Sequence, residues 1–121
     1  MKVHFIKVHG DEIFDNFPEF YDSKKEFFEI NKEMKPIGFY GIKKIDGKTG
    51  EISVYFNESD RHEITKSVAL GCLTFPFSLG FQKILISTKV KNVERFLRKM
   101  TKIGVKYLFK NNDLHWFEVI A

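Results

Sequence analysis

A short apolar run, Lys83-Ile84-Leu85-Ile86-Ser87, constrains the fold more than any other part of the sequence. A strand that does not alternate between apolar and polar residues is typical of a sheet position covered on both faces. The flanking segments, near 65–79 and near 92–103, carry apolar residues at helical spacing. We therefore expect residues 82–88 to form a central strand of an α/β sheet, with these two helices packed against it.

Further strands are predicted where β-branched and aromatic residues cluster or alternate, at 3–8, 37–45, 52–56, 105–109 and 114–120. A first helix follows Gly10, and Pro18 interrupts its apolar face. The inward positions of the adjoining elements predict a core that contains Phe77, Ile84, Ile86, Phe96 and Met100.

Residues 23–34 fit two structures. Ser23 and Glu26 have the spacing of a helix capping box, and the apolar residues that follow share one helical face. Phe28 and Ile30, however, also alternate with polar neighbours, as in a strand. The local pattern slightly favours a helix.

Composition narrows the classes of function. The chain has 121 residues, the size of one domain covering 1–121, and a net charge of +4. Its lysines are spread along the whole length, so no basic patch forms and nucleic-acid binding is not expected. No apolar stretch is long enough for a membrane span, and the single cysteine, Cys72, excludes an internal disulfide. These features predict a cytoplasmic globular protein.

Three segments in the second half follow one another in a recognisable order. They are Lys35-Pro36-Ile37-Gly38-Phe39, then Phe77-Ser78-Leu79-Gly80-Phe81 leading into the apolar run, then Asn92 followed by Lys102-Ile103-Gly104-Val105. Together they resemble the third strand, the end of the central helix and the last helix of the GNAT superfamily of N-acetyltransferases. The resemblance implies a mixed α/β (α+β), mostly antiparallel sheet with helices on both faces. It also implies that residues 26–33 form the second strand and that 82–88 run parallel to 51–57 and splay from it.

The resemblance further implies acetyl-CoA as co-substrate, bound at the loop before the central helix. The family carries R/Q-x-x-G-x-G/A there, so that backbone amides reach the pyrophosphate. Here Arg61 matches the first position, Ile64 and Lys66 replace the two glycines, and Glu63 adds a negative charge. The residues expected at the cofactor are Phe56, Arg61, Thr65, Lys66 and Asn92. Asn92 is also explained as the cap of the helix that follows it.

The candidates for the general base are Glu51 and Glu58, near the fourth strand, where the family's carboxylates often lie. Glutamates at such positions are also common on ordinary strand surfaces. The place of the family's usual tyrosine acid holds Lys99. The four histidines have no metal-ligand spacing, so no metal site is expected.

Two functions follow from these features. The first is an acetyl-CoA-dependent N-acetyltransferase that acts on an amine of a small molecule or peptide. The second is a catalytically inactive GNAT-like binding or structural protein, such as a reduced copy encoded by a phage. The missing glycines and the missing tyrosine favour the second, while the order of the motifs favours the first. A monomer and a homodimer fit the sequence equally.

Overall fold

The computed structural model describes residues 3–120 of the chain. Within that range the strands are β1 (Val3–Val8), β2 (Lys25–Lys32), β3 (Lys35–Lys44), β4 (Thr49–Phe56), β5 (Lys83–Thr88), β6 (Val105–Asn111) and β7 (Leu114–Ile120). The α-helices are α1 (Gly10–Asn16), α2 (Lys66–Ser78) and α3 (Lys91–Arg98). Short 3₁₀ helices cover Glu58–Glu63 and Thr101–Ile103.

The strands form one sheet in the order β1-β2-β3-β4-β5-β7-β6. Every neighbouring pair is antiparallel except β4 and β5, which are parallel. The predicted mixed, mostly antiparallel sheet is therefore confirmed, and β5 lies inside it between β4 and β7.

Consecutive aromatic residues of one strand show that helices cover both faces of the sheet. Phe27 contacts Phe20 and Tyr21, which follow α1, whereas its neighbour Phe28 contacts Phe75 of α2. Because successive side chains of a strand point to opposite faces, α1 and α2 lie on opposite sides of the sheet. This arrangement was also implied by the family resemblance.

The ambiguous segment is strand β2, so the slight local preference for a helix is wrong. β2 pairs along its length with β1 on one side and β3 on the other. Phe27 and Ile30 are buried on its surfaces. The two flanking strands decide the structure here, and they outweigh a capping-box pattern worth about 1 kcal/mol.

The predicted helix over 92–103 is divided in two. α3 ends at Arg98, and a 3₁₀ turn follows it. Gly104 ends this turn in the left-handed conformation, with a φ of 90°, and β6 begins at the next residue. The N-cap of α3 is Val90, so the expectation that Asn92 caps this helix is wrong.

The buried residue of α3 is Leu97, which is 1% exposed. Of the predicted core, Ile84 is fully buried, while Phe77, Ile86, Phe96 and Met100 are partly buried against the same cluster. Three of these partly buried residues face a cavity rather than solid packing: Ile86, Phe96 and Met100.

Candidate functional site

A groove opens where β4 and β5 separate. The two strands pair only from Thr49 to Glu51 and from Lys83 to Leu85. Beyond these residues β4 pairs with β3 and β5 pairs with β7, so within the described sheet their facing edges lack a strand partner. The groove has a volume of about 690 Å³, and α2 and α3 complete its walls. The splay that the resemblance implied supplies this cavity.

The lining of the groove is mostly apolar. Side chains from all four elements contribute to it, among them Val54, Phe56, Leu73, Ile86, Phe96 and Met100. The polar lining residues are Ser53, Thr65, Lys66, Ser87, Thr88, Asn92 and Lys99. An apolar cleft with a few polar groups is the usual form of a small-molecule site.

The N-terminus of α2 lies at this groove. Thr65 is the N-cap of α2, and its hydroxyl oxygen accepts a hydrogen bond from the Val68 amide at 3.3 Å. The first turn of α2 carries no acidic residue, and Lys66 begins the helix. The dipole of the helix and the Lys66 ammonium group therefore both favour an anion at this end of the groove.

The loop that precedes α2 contains a 3₁₀ helix, Glu58–Glu63, in place of a glycine turn. Ile64 has an extended backbone, with φ −79° and ψ 97°, and none of the left-handed residues in the described chain lies in this loop. Its path therefore does not need the glycines of the family motif, because a side chain is compatible with every backbone conformation in it.

The Glu63 carboxylate has a partner on β2 that no local sequence pattern indicates. It lies 3.2 Å from Nζ of Lys32 and 3.2 Å from Nε2 of His62. The hydrogen bond from Lys32 is the main cause that lowers the pKa of the Glu63 carboxyl group. Glu63 does not line the groove. The negative charge that Glu63 adds to the loop is thus paired with Lys32 of β2.

The structure brings some of the predicted site residues together and leaves others apart. Phe56, Thr65, Lys66 and Asn92 line the groove, whereas Arg61 is exposed on the 3₁₀ helix and does not. Of the two candidate bases, Glu51 is half-buried at the closed end, in register with Leu85, and Glu58 is exposed beyond the end of β4. Neither carboxylate is part of the groove lining.

Few titratable groups line the groove. Within the described residues its lining contains two lysines and one cysteine, but no Asp, Glu, His or Tyr. Burial raises the pKa of the Cys72 thiol to about 12, and a raised pKa disfavours the thiolate form that a nucleophilic cysteine needs. Lys99 lies at the C-terminal end of α3 and lines the groove.

A polar network joins α3 to β6 and β7, and no sequence pattern indicated it. His115 Nε2 lies 3.5 Å from Oε1 of Glu94, and its Nδ1 lies 3.1 Å from the Tyr107 hydroxyl. Arg98 binds Glu94 at 2.7 Å and stacks over the Tyr107 ring. The pKa of the Glu94 carboxyl group is lowered, chiefly by Arg98. This network fastens α3, one wall of the groove, to the β6–β7 hairpin.

In residues 3–120 no three His, Cys, Asp or Glu side chains come together in a way that would hold a metal ion. The same residues contain no helix that is both long and apolar enough to cross a membrane.

Comparison with known proteins identifies the class of fold. No family model matches the chain, and no curated protein matches its sequence. Solved structures, in contrast, match over nearly the whole chain, and they are acetyltransferases of the GNAT type. The chain has the fold of the GNAT N-acetyltransferases, and the resemblance predicted from its motifs is confirmed at the level of the fold.

Three of these structures illustrate the likeness. The IAA acetyltransferase from Bacillus cereus is 14% identical, with a TM-score of 0.68, covering 99% of this chain and 100% of that one. A dodecameric spermidine N-acetyltransferase from Vibrio cholerae is 14% identical, with a TM-score of 0.67, covering 98% and 93%. The Campylobacter jejuni N-acetyltransferase PseH in complex with acetyl coenzyme A is 12% identical, with a TM-score of 0.65, covering 98% and 99%.

Proposed function

We propose that this protein is an acetyl-CoA-dependent N-acetyltransferase that acts on the amine of a small molecule or peptide. The observation that carries the proposal is the groove between the splayed ends of β4 and β5, with the N-terminus of α2 at one end. The acetyltransferase identity of the similar solved structures supports it.

The residues present fit two parts of acetyl-CoA, its phosphates and its pantetheine arm. The first amides of α2 and the Lys66 ammonium group would bind its phosphates. The apolar walls would hold the pantetheine arm, and the unpaired edges of β4 and β5 would hydrogen-bond its amides. Thr65 and Asn92 supply further polar contacts, and Phe56 supplies an apolar one. Arg61, exposed on the loop, is assigned a long-range contribution to phosphate binding.

Acetyl-CoA supplies an acetyl group activated as a thioester. In the transfer, the acceptor nitrogen forms a bond to the carbonyl carbon, the C–S bond breaks, and the thiolate takes up a proton. A backbone N–H group on the open edge of β4 would polarise the carbonyl oxygen. Glu51 and Glu58, outside the lining, would draw the proton from the acceptor ammonium through water. Lys99 is the groove residue that could return a proton to the thiolate.

Replacement of Lys66 tests the site. Lys66→Ala is expected to weaken acetyl-CoA binding about tenfold, because a charge-assisted contact to a phosphate is lost. Arg61→Ala should have a smaller effect, since that side chain does not line the groove. Titration calorimetry measures both affinities, with Lys44→Ala, an exposed lysine at the far end of β3, as the charge-matched control. Equal effects of Lys66→Ala and Lys44→Ala would place the phosphates elsewhere.

A second function, binding without catalysis, is favoured by one observation. Within the described residues the groove lining has no carboxylate, imidazole or phenol to move a proton. The two functions are separated by incubating the purified protein with acetyl-CoA and a panel of polyamines, amino acids and peptides. Release of free thiol that depends on the amine supports the transferase. Tight binding of acetyl-CoA with no turnover on any amine supports the binding protein.

A further inference from the structure

The loop before α2 rests on the tip of the β2–β3 hairpin. Lys32 ends β2 and Lys35 begins β3, and they are paired across a two-residue turn. The turn residues Glu33 and Met34 have φ values of 52° and 68°, the left-handed conformation of a tight hairpin. The turn therefore fixes the two lysines close together on one rigid hairpin end.

Lys32 holds the last residue of the 3₁₀ helix by two contacts. Its Nζ lies 3.2 Å from a carboxylate oxygen of Glu63 and also donates a hydrogen bond to the Glu63 carbonyl oxygen at 3.2 Å. The Lys32 side chain is 8% exposed. An ammonium group buried to this extent is stable only when it is paired, so these two contacts hold Glu63 in place.

Lys35 holds the middle of the same 3₁₀ helix. Its Nζ lies 3.0 Å from a carboxylate oxygen of Asp60, whose side chain is 13% exposed. The other carboxylate oxygen of Asp60 accepts a hydrogen bond from the Asn57 side-chain amide at 3.1 Å. Two lysines of the hairpin thus bind two carboxylates that are three residues apart on the loop.

We propose that Lys32 and Lys35 are positioning residues for the anion end of the groove: their ion pairs fix the loop so that α2 presents its N-terminus to the ligand. Glu63 is followed by Ile64 and then by Thr65, the N-cap of α2. A loop fixed at Glu63 therefore fixes the orientation of the first helical amides. The inference rests on the proposed function for the nature of the anion.

The decisive variant is Glu63→Gln. If the loop charge mattered only through its field, removing a carboxylate would strengthen binding of an anion. If the ion pair positions the loop, the same variant loosens it and weakens binding. Lys32→Met removes the other partner, Lys32→Arg is the conservative rescue, and Lys43→Met is the control. Lys43→Met removes the same charge and breaks a 3.8 Å pair with Asp22 at the other end of β3.

Two measurements are made on each full-length variant. Hydrogen–deuterium exchange without ligand measures how readily the backbone amides of the loop, residues 57–68, open to solvent. Calorimetric titration with acetyl-CoA, and separately with inorganic pyrophosphate, measures the affinity of the anion site for each ligand. We expect Glu63→Gln and Lys32→Met to speed loop exchange about tenfold and to weaken both ligands about tenfold. Lys32→Arg and Lys43→Met should resemble the wild type in both measurements.

Unchanged loop exchange in Glu63→Gln and Lys32→Met would overturn the proposal, whatever the affinities. Faster exchange with unchanged or tighter ligand binding would overturn the positioning role and leave the proposed function intact. If the wild type binds neither acetyl-CoA nor pyrophosphate, the proposed function fails, and the positioning role at an anion site fails with it. Binding of pyrophosphate but not acetyl-CoA, with the expected losses in the variants, supports the positioning role and contradicts the acetyltransferase.

Discussion

One missing N–H group determines how α2 is attached to the sheet. Pro76 lies inside α2 and cannot donate to the carbonyl oxygen of Cys72, four residues earlier. The hydroxyl group of Tyr40, a fully buried residue of β3, donates to that oxygen instead. The hydrogen bond that Pro76 cannot make within the helix is thus replaced by one between the helix and the sheet.

This pairing predicts a measurable coupling. Tyr40→Phe should lower the free energy of unfolding by about 1–3 kcal/mol, because it leaves a buried carbonyl group without a donor. In a Pro76→Ala background the cost of Tyr40→Phe should fall, since the alanine N–H can bond to Cys72. Urea denaturation of the wild type, both single variants and the double variant gives the coupling energy. Additive effects would show that Tyr40 does not replace the missing donor.

Residue identity alone could not reveal the partners of the loop carboxylates. The cap of α2 could be narrowed from the sequence to Thr65 or Ser67, because a cap and its helix are neighbours in the chain, and the structure shows Thr65. Glu63 and Lys32, in contrast, are 31 residues apart, and their contact exists only because β2 and β3 form a hairpin beneath the loop. Charged residues that come together only in the folded chain leave no local sequence pattern. Considered alone, Glu63 therefore indicated an unfavourable negative charge in the cofactor loop.

Phe96 and Leu97, two neighbouring residues of α3, differ in burial, and the difference has consequences for stability. Leu97 is buried in the core, while Phe96 is partly buried and lines the groove. Leu97→Ala should therefore lower the free energy of unfolding by about 2–5 kcal/mol. Phe96→Ala should cost only about 1–2 kcal/mol, because part of its surface already faces an open cavity. Denaturant unfolding of the two variants checks the order, and a larger cost for Phe96→Ala would contradict it.

Elements with strong local signals were predictable, and those that depend on neighbours were not. β5 and β7 were predicted with nearly their observed bounds, since apolar runs and turn residues mark them locally. β2 was recovered only through the family resemblance, because its pairing with β1 and β3 overrides the local pattern. The 3₁₀ helix before α2 was expected only as a polar loop. Its carboxylates form ion pairs with lysines of the β2–β3 hairpin, which is distant in the sequence.

The central feature of the whole sheet is a parallel ladder that stops after three residue pairs. α2 and α3 follow the two strands and pack at the place where they diverge, which leaves a cavity instead of a closed core. No residue pattern in β4 or β5 specifies where the pairing ends. The splay therefore leaves no local signal in either strand, and only the resemblance implied it.

The ion pairs of the molecule as a whole predict a loss of stability in acid. The pKa values of five carboxyl groups are lowered from ordinary values of 3.8 or 4.5 by hydrogen bonds, mainly from backbone amides or from basic side chains. These groups belong to Asp22, Asp46, Asp60, Glu63 and Glu94. A carboxyl group with a lowered pKa in the folded state contributes stability that is complete above its ordinary value. That stability is lost as the pH falls through the lowered value.

We therefore expect the urea midpoint to be constant between about pH 6 and 8 and to fall steadily below about pH 4.5. The Lys35–Asp60 pair tests the cause, because its partners' pKa values shift in opposite directions, lowered for Asp60 and raised for Lys35. Asp60→Asn should lower the midpoint at neutral pH and make its decline in acid shallower, since one contributing carboxylate is gone. The measurement is urea unfolding at pH 3, 5 and 7 at constant ionic strength. A midpoint that is the same at pH 3 and pH 7 would show that these carboxyl groups do not stabilise the fold. An Asp60→Asn variant with the full acid decline would show that the Lys35–Asp60 pair does not contribute to it.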